Sequence, residues 1–450
     1  MTMKTLYEDA DKWHNQCRKK SNNERYHFVS DTLKASLPES FIEESDLAMV
    51  ILEVKDVLED QMQFDKLIKL IEILQMFQPA LYKRTHFYFD EFLIDFYLFH
   101  RDKEKLNEPL SRFEDNPVEG IDSMLSVHAK LLFYEHTDLA IKLASKTYEP
   151  VSTSPKLIGG SGRNLAMTMF YSFLEQRYKE FLNTGFFNYD QFTREIAAFD
   201  FDPETNLLDQ IKKGLVEDAL NGEALHHEFF KNKKGCLWTT EYYFLKHMWH
   251  KKRMGFAWGS VLWDGLWNYW EEECNKEAQQ SDDYFMLKRG TFDSYLTRLI
   301  GGFLQMNKAE AASVLWGATY IYDFLLSIGL INENVYKSAL MSINSLKTTF
   351  MKAFRNVLWK FSFVHYWEPP EGIPQKDFNA ESQIFIKSLQ GISEDEFENF
   401  VPEEVNQMSA ITNHTSNPEA SEQEPPKTGR NNPCHCGSGK KYKKCCGKSA

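Results

Sequence analysis

Seven cysteines occur in the 450 residues, and four of them stand between positions 434 and 446 in "NPCHCGSGKKYKKCCGK". One residue separates Cys434 from Cys436, and the adjacent Cys445 and Cys446 follow after eight more. Thiolates are soft ligands suited to zinc. Four of them complete a tetrahedral shell with no open position, which is the arrangement of a structural rather than a catalytic site. Gly437 and Gly439 permit the tight reversal that returns the chain across a metal. So short a segment has almost no core, and coordination must supply its folding energy, on the order of 10 kcal/mol. Iron competes with zinc for thiolates, and His435 adds a competing ligand. Redox-active or incidental cysteine pairs are the other use of such residues, and this spacing disfavours them.

The same residues resemble a known family. "NPCHCGSGKKYKKCC" looks like the SEC-C motif, found at the C-terminus of the bacterial translocation motor SecA and appended to many other bacterial proteins; Cys-x-Cys, Gly-Ser-Gly, Lys-Tyr and the terminal cysteine pair match in register. The resemblance covers residues 430–447 and implies Cys434, Cys436, Cys445 and Cys446 as the metal ligands. In the family the residue between the first two cysteines is often Pro, and the last ligand is His or Cys; here they are His435 and Cys446. Four thiolates around a divalent cation leave a charge of about −2, so Lys440, Lys441, Lys443 and Lys444 either neutralise the site or form a recognition face with Tyr442. The resemblance implies a chaperone- or ribosome-associated partner for such a face, or nucleic acid.

Charge divides the chain in the same place. The net charge is −13, from 52 basic and 65 acidic residues. Seven of the basic residues and none of the acids lie from Lys427 onward, which leaves −20 on the rest. The body is therefore not expected to bind nucleic acid through bulk charge, whereas the tail has charge for phosphates or an acidic protein surface. Ser393 to Pro426 contains no Lys or Arg and is rich in Glu, Ser, Asn and Pro, a composition that buries too little apolar surface to offset chain entropy. A flexible acidic linker is expected there. No apolar run of signal-peptide or membrane-spanning length occurs, so a cytoplasmic location without disulfides is expected.

The elements that must carry this tail are helical. Hydrophobic residues make up 42% of the chain, including 35 Phe, 20 Tyr and 10 Trp, enough for a substantial core. Apolar residues recur at three and four, as in Leu67, Leu70, Ile71 and Leu74, and strict alternation is scarce. Pro79, Pro117 and Pro150 punctuate the pattern as expected helix stops. Aligning the segments before them places Leu67, Leu106 and Ala140 in register, 39 and then 34 residues apart. Each follows another amphipathic helix, at about 47–59, 87–100 and 121–135. Helix pairs repeated at such a period resemble the tetratricopeptide class, with Leu93, Tyr97 and Asp102 at that family's leucine, tyrosine and turn aspartate. The usual glycines between paired helices are missing, and Pro109 lies inside one segment. The expected architecture is all-α: tetratricopeptide-like repeats over 1–155, a second, aromatic-rich helical domain over 156–392, the linker over 393–427, and a zinc knuckle over 428–450.

Chemistry in the body is less legible. Trp263, Trp267 and Trp270 follow helical spacing near Lys251, Lys252 and Arg253; they form either a buried stripe or an aromatic, basic groove for a peptide or single-stranded nucleic acid. "IGGSGRN" at 158–164 places glycines before a helix, but no Gly-Lys-Ser/Thr follows, which excludes a P-loop motor. His226, His227, Glu228, His247 and His250 form no His-Glu-x-x-His, there is no Gly-x-Ser-x-Gly, and Cys17, Cys236 and Cys274 sit in no nucleophile signature. No catalytic residue is assigned. The favoured function is a metal-binding interaction protein. The rival is an enzyme with its site within 160–390 and the knuckle as a targeting tag, and a nucleic-acid-binding role is a further alternative. Convergence of His226, Glu228, His247 and Asp264 in one cleft would favour the enzyme.

Overall fold

Residues 47–152 fold as successive helices joined by turns that the sequence does not advertise. The computed structural model describes residue 7 and residues 9–201, 205–217, 222–229, 231–273, 281–301 and 308–389. Among the described residues there is no strand. Three N-terminal helices, α1 (Ala10–Arg18), α2 (Asn22–Leu33) and α3 (Glu39–Glu44), precede the repeats. Ser21 and Glu24 form a reciprocal capping box that fixes the start of α2.

Three antiparallel pairs follow: α4 (Leu47–Asp60) with α5 (Phe64–Phe77), α6 (Pro79–Phe99) with α7 (Asn107–Asp115), and α8 (Ile121–Phe133) with α9 (Thr137–Ser152). The first helices stack in series, α4 on α6 and α6 on α8. Leu67, Leu106 and Ala140, the three residues in register, are each 0% exposed. No pair covers its own apolar face, so the stack shares a core.

The missing glycines have substitutes. Met62, Arg101 and Glu135 occupy left-handed backbone at φ 52°, 57° and 61°, each five residues before its in-register core position. At each turn the next N–H reaches back to the helix, Gln63 to Leu58 O (2.8 Å), Asp102 to Tyr97 O (2.8 Å) and His136 to Leu131 O (2.8 Å). This is a Schellman closure built with ordinary side chains in the position glycine favours. The prolines behave less uniformly than expected. Pro79 is the first residue of α6, which therefore starts well before position 87. Pro109 lies in the first turn of α7, where no N–H is required, and α9 runs through Pro150 to Ser152.

The chain continues through α10 (Arg163–Thr184), α11 (Tyr189–Ala197), α12 (Thr205–Ile211), α13 (Gly222–Phe229), α14 (Lys233–Lys252), α15 (Phe256–Glu273), α16 (Ser281–Tyr284), α17 (Arg289–Gly301), α18 (Lys308–Ser327), α19 (Glu333–Ala353) and α20 (Gln375–Leu389). Position 155 is not a break in packing, because α9 lies directly against α10. A 3₁₀ segment, Arg355–His365, also returns to the repeats. Trp359 is buried against Phe64, Phe92 and Phe99, Lys360 pairs with Glu59, and Trp367 Nε1 donates to Phe133 O at 2.8 Å. Met1–Ser393 accordingly group as one compact unit. No described helix is long and apolar enough to cross a membrane.

Candidate functional site

A cleft of about 680 Å³ opens where α8, α10, α14, α15 and α18 meet beside α6. Glycine sets part of its geometry: a Cβ on Gly265 would lie 2.4 Å from Val314 Cγ2, and one on Gly317 2.6 Å from Leu262 Cδ2, so α15 and α18 approach closely. On α15 the residues Ser260, Asp264 and Asn268 recur at i, i+4 as a polar stripe on an otherwise aromatic helix, and this stripe faces the cleft. The first turns of α8, α10, α14 and α18 bring Asp122, Arg163 with Asn164, Lys234 and Glu310 to the same space. Trp238 and Trp267 supply one wall, packed edge to face with centroids 4.9 Å apart.

Depth sorts the charges. Asp264, Glu310 and Glu91 are half-buried, whereas Arg163, Lys234, Asp122, Asn164 and Asn268 are exposed. Glu91 is already satisfied, accepting from Ser126 Oγ at 2.9 Å and pairing with Lys130 at 3.1 Å. Burial pushes the Asp264 carboxyl up to about 7, an effect that Arg163 reduces and Glu310 reinforces. Burial also raises Glu310. Behind them Glu241 is fully buried, takes a hydrogen bond from Tyr171 Oη, and is raised well above the carboxylate range by burial and by Asp264. His128 in the wall is 3% exposed, its Nε2 has no hydrogen-bond partner, and burial holds it neutral by lowering it to about 4.

The residues singled out by sequence are distributed differently. Trp263 and Trp270 are 0% exposed and pack against each other at 5.7 Å, a core stripe rather than a groove. Trp267 alone of the three reaches the cleft. Asp264 lies there too, but His226 instead bonds Ser281 Oγ at 2.6 Å, and His247 packs on Phe324. The side chain of Glu228 is outside the described set. Residues 158–162 form the turn before α10, and Arg163 and Asn164 at its end enter the cleft rim. Cys17 and Cys236 are buried cysteines. Among the described residues no group of three or more His, Cys, Asp or Glu is placed to hold a metal ion. Cys434, Cys436, Cys445, Cys446, Lys440, Lys441, Tyr442, Lys443 and Lys444 lie outside the described residues.

Comparison with known proteins decides what the tail is. A family model described as SEC-C motif matches residues 430–448. The tail carries a SEC-C motif. The motif is shared with SecA, the protein translocase subunit, of Maridesulfovibrio salexigens (46% identical over 57 residues, 13% of this chain and 7% of that one). SecA of Oleidesulfovibrio alaskensis is 86% identical over 22 residues, 5% of this chain and 2% of its own length. A UPF0225 protein of Photorhabdus laumondii is 82% identical over 22 residues, 5% of this chain and 14% of the relative. The chain thus spans a small fraction of the relatives it matches, and the likeness is confined to the SEC-C region and the residues beside it. No solved structure matches the chain.

Proposed function

We propose that the protein is a cytoplasmic, metal-binding adaptor, in which a zinc-loaded SEC-C knuckle docks the helical body onto a macromolecular partner with an acidic or phosphate-rich surface. The observation that carries this reading is the coincidence, within residues 430–448, of four cysteines in closed-site spacing with four lysines around Tyr442. Cys434, Cys436, Cys445 and Cys446 are the ligands in this reading, and the metal holds Lys440, Lys441, Lys443 and Lys444 on one scaffold. A folded display of charge recognises a partner better than loose charge does, because the side chains are held in register with the opposing surface. The family resemblance points to an acidic chaperone or the ribosome as the partner.

The test is direct binding of the full-length protein to purified bacterial ribosomes and to an acidic SecB-type chaperone. Three forms are compared: zinc-loaded wild type, the zinc-loaded double variant Lys440→Glu with Lys444→Glu, and metal-stripped wild type. The expected result is salt-sensitive binding by the wild type to one of the two partners, weakened at least about fivefold in both other forms. Equal affinity in all three forms would remove the docking role. Binding to naked RNA at the same strength as to either partner would replace it with nucleic-acid recognition.

A further inference from the structure

The stack of α4 to α9 is completed by a piece of chain that is not one of its own helices. Trp359, in the 3₁₀ segment Arg355–His365, is 0% exposed and joins the core of α1 to α6 from far downstream. The residues around it meet the first helices of the three pairs in order. Trp359 fills a slot between Phe64, Phe92 and Phe99, with ring centroids 4.8, 6.1 and 5.9 Å away. Lys360 pairs with Glu59 of α4 and stands 3.8 Å from Asp95 of α6. Ser362 Oγ lies 2.7 Å from Tyr134 Oη, and Phe363 packs on Phe133 at the end of α8 with centroids 5.1 Å apart. Aromatic slot, inner acids and hydroxyl thus read one short sequence, Trp-Lys-x-Ser-Phe, as a groove reads a peptide.

We infer that residues 359–363 are a resident peptide on this face, and that the face takes a partner segment of the same aromatic-Lys-x-x-aromatic pattern when the resident is displaced. Three observations favour a resident that can leave over a fixed core strut. A 3₁₀ ladder of eleven residues has poorer hydrogen bonds than an α-helix, so side-chain contacts more than its own backbone hold it in place. The buried Nε1 of Trp359 has no hydrogen-bond partner, an unmet donor that counts against a permanent seat. Lys360 brings a charge into the face, where desolvation opposes the attraction of Glu59 and Asp95, so the pairing selects a lysine more than it stabilises the fold. The other side of the segment packs on α19 and α20, Phe361 on Phe350 and His365 on Phe385, which keeps a displaced resident close at hand. The inference is independent of the tail, since no cysteine, lysine or metal of the SEC-C region enters it.

The probe is a fluorescein-labelled synthetic peptide of residues 355–367, followed by anisotropy with the full-length protein. Wild type should bind it at least about tenfold more weakly than does the double variant Trp359→Ala with Lys360→Ala, whose resident has lost its two anchors. A peptide carrying Lys360→Glu should bind that variant at least about tenfold more weakly than the native peptide, because it meets Glu59 and Asp95 with like charge. Hydrogen exchange of the wild type tests the same point without a substitution. Amides of 355–365 should exchange at least about tenfold faster than those of α18 and α19, through an opening that leaves those helices folded. The inference is overturned if the folded double variant binds the peptide no better than wild type, if both peptides bind it alike, or if 355–365 exchange as slowly as α18 and α19. Where melting curves show that the double variant does not fold, the exchange result decides. Removing the metal should change none of these results, which keeps this outcome distinct from the tail's.

Discussion

Buried charge is handled in opposite ways by the stacked pairs of α4 to α9 and by the helices around the cleft. In the stack the buried carboxylates Glu59, Asp90 and Asp95 each have a cation against them. Asp90, 0% exposed, is held by Arg112 (Nε to Oδ2 2.9 Å), His86 (2.8 Å) and Tyr82 (2.8 Å). Lys130 bridges from α8 to Asp95 at 2.8 Å and to Glu91 at 3.1 Å, and these carboxylates keep it charged although burial opposes it. Glu59 is buried, yet Lys360 and Lys55 hold it at about 2. Around the cleft, by contrast, the fully buried Glu241 has a tyrosine for a partner, and Asp264 is raised. Paired charges join helices to one another. Carboxylates raised by burial are costly to the fold.

Breaking the pairing in the stack gives the largest effect. Lys130→Met leaves Asp95 buried without its main cation, and should cost about 3–5 kcal/mol. Urea denaturation of the full chain near pH 7 measures it, and a loss below about 1 kcal/mol would erase the contrast.

The cleft responds in the opposite sense, and with pH. Asp264 is raised from the usual range to about 7, so the folded protein keeps a proton that the unfolded chain releases, and stability falls as pH rises from about 4 through 7. The groups facing it are Arg163 from α10, Glu310 from α18 and Glu241 from α14. Asp264→Asn removes the titrating group. It should stabilise the protein at pH 8 by on the order of 2 kcal/mol, after allowance for partial exposure, and by almost nothing at pH 4. Equal effects at both pH values would show that Asp264 is an ordinary half-buried side chain.

The smallest effect sharpens the account of the stack itself. Glu135 is exposed and sits at φ 61°, where glycine carries no steric penalty. Glu135→Gly should raise stability by roughly 0.5–1 kcal/mol. The same change at Arg101 should gain less, since its guanidinium lies 3.5 Å from the Tyr366 ring centroid and that contact is lost.

These turns also show where sequence reading succeeds and where it stops. Helices whose apolar faces repeat at three and four, such as α5, α10 and α19, are legible because burial acts on local spacing. The helix-pair register is legible too, since Leu67, Leu106 and Ala140 mark it; the tetratricopeptide label adds a family pattern that the glycine-free turns do not carry. Left-handed Met62, Arg101 and Glu135 give no local signal, because tertiary packing, not propensity, holds them there. The cleft was hidden for a different reason: its charges come from positions 122, 163, 234, 264 and 310, which only the packed helices unite. One signal was available, the Ser260, Asp264, Asn268 stripe, and the tryptophans flanking it drew attention to the face that turned out to be core. The SEC-C tail is the reverse case, for its cysteines and their spacing lie within one short stretch and need no fold to be read.

The central claim is that two units answer to different physics, the tail to a metal and the body to its core. Metal content and thermal unfolding, measured together on the full-length wild type and on Cys434→Ser with Cys445→Ser, test it most directly. The account predicts one zinc per wild-type chain, none in the double variant, and the same helical content and main melting transition in both, including after chelation. Equal metal in the two proteins, or a collapse of helicity when the metal is removed, would contradict it.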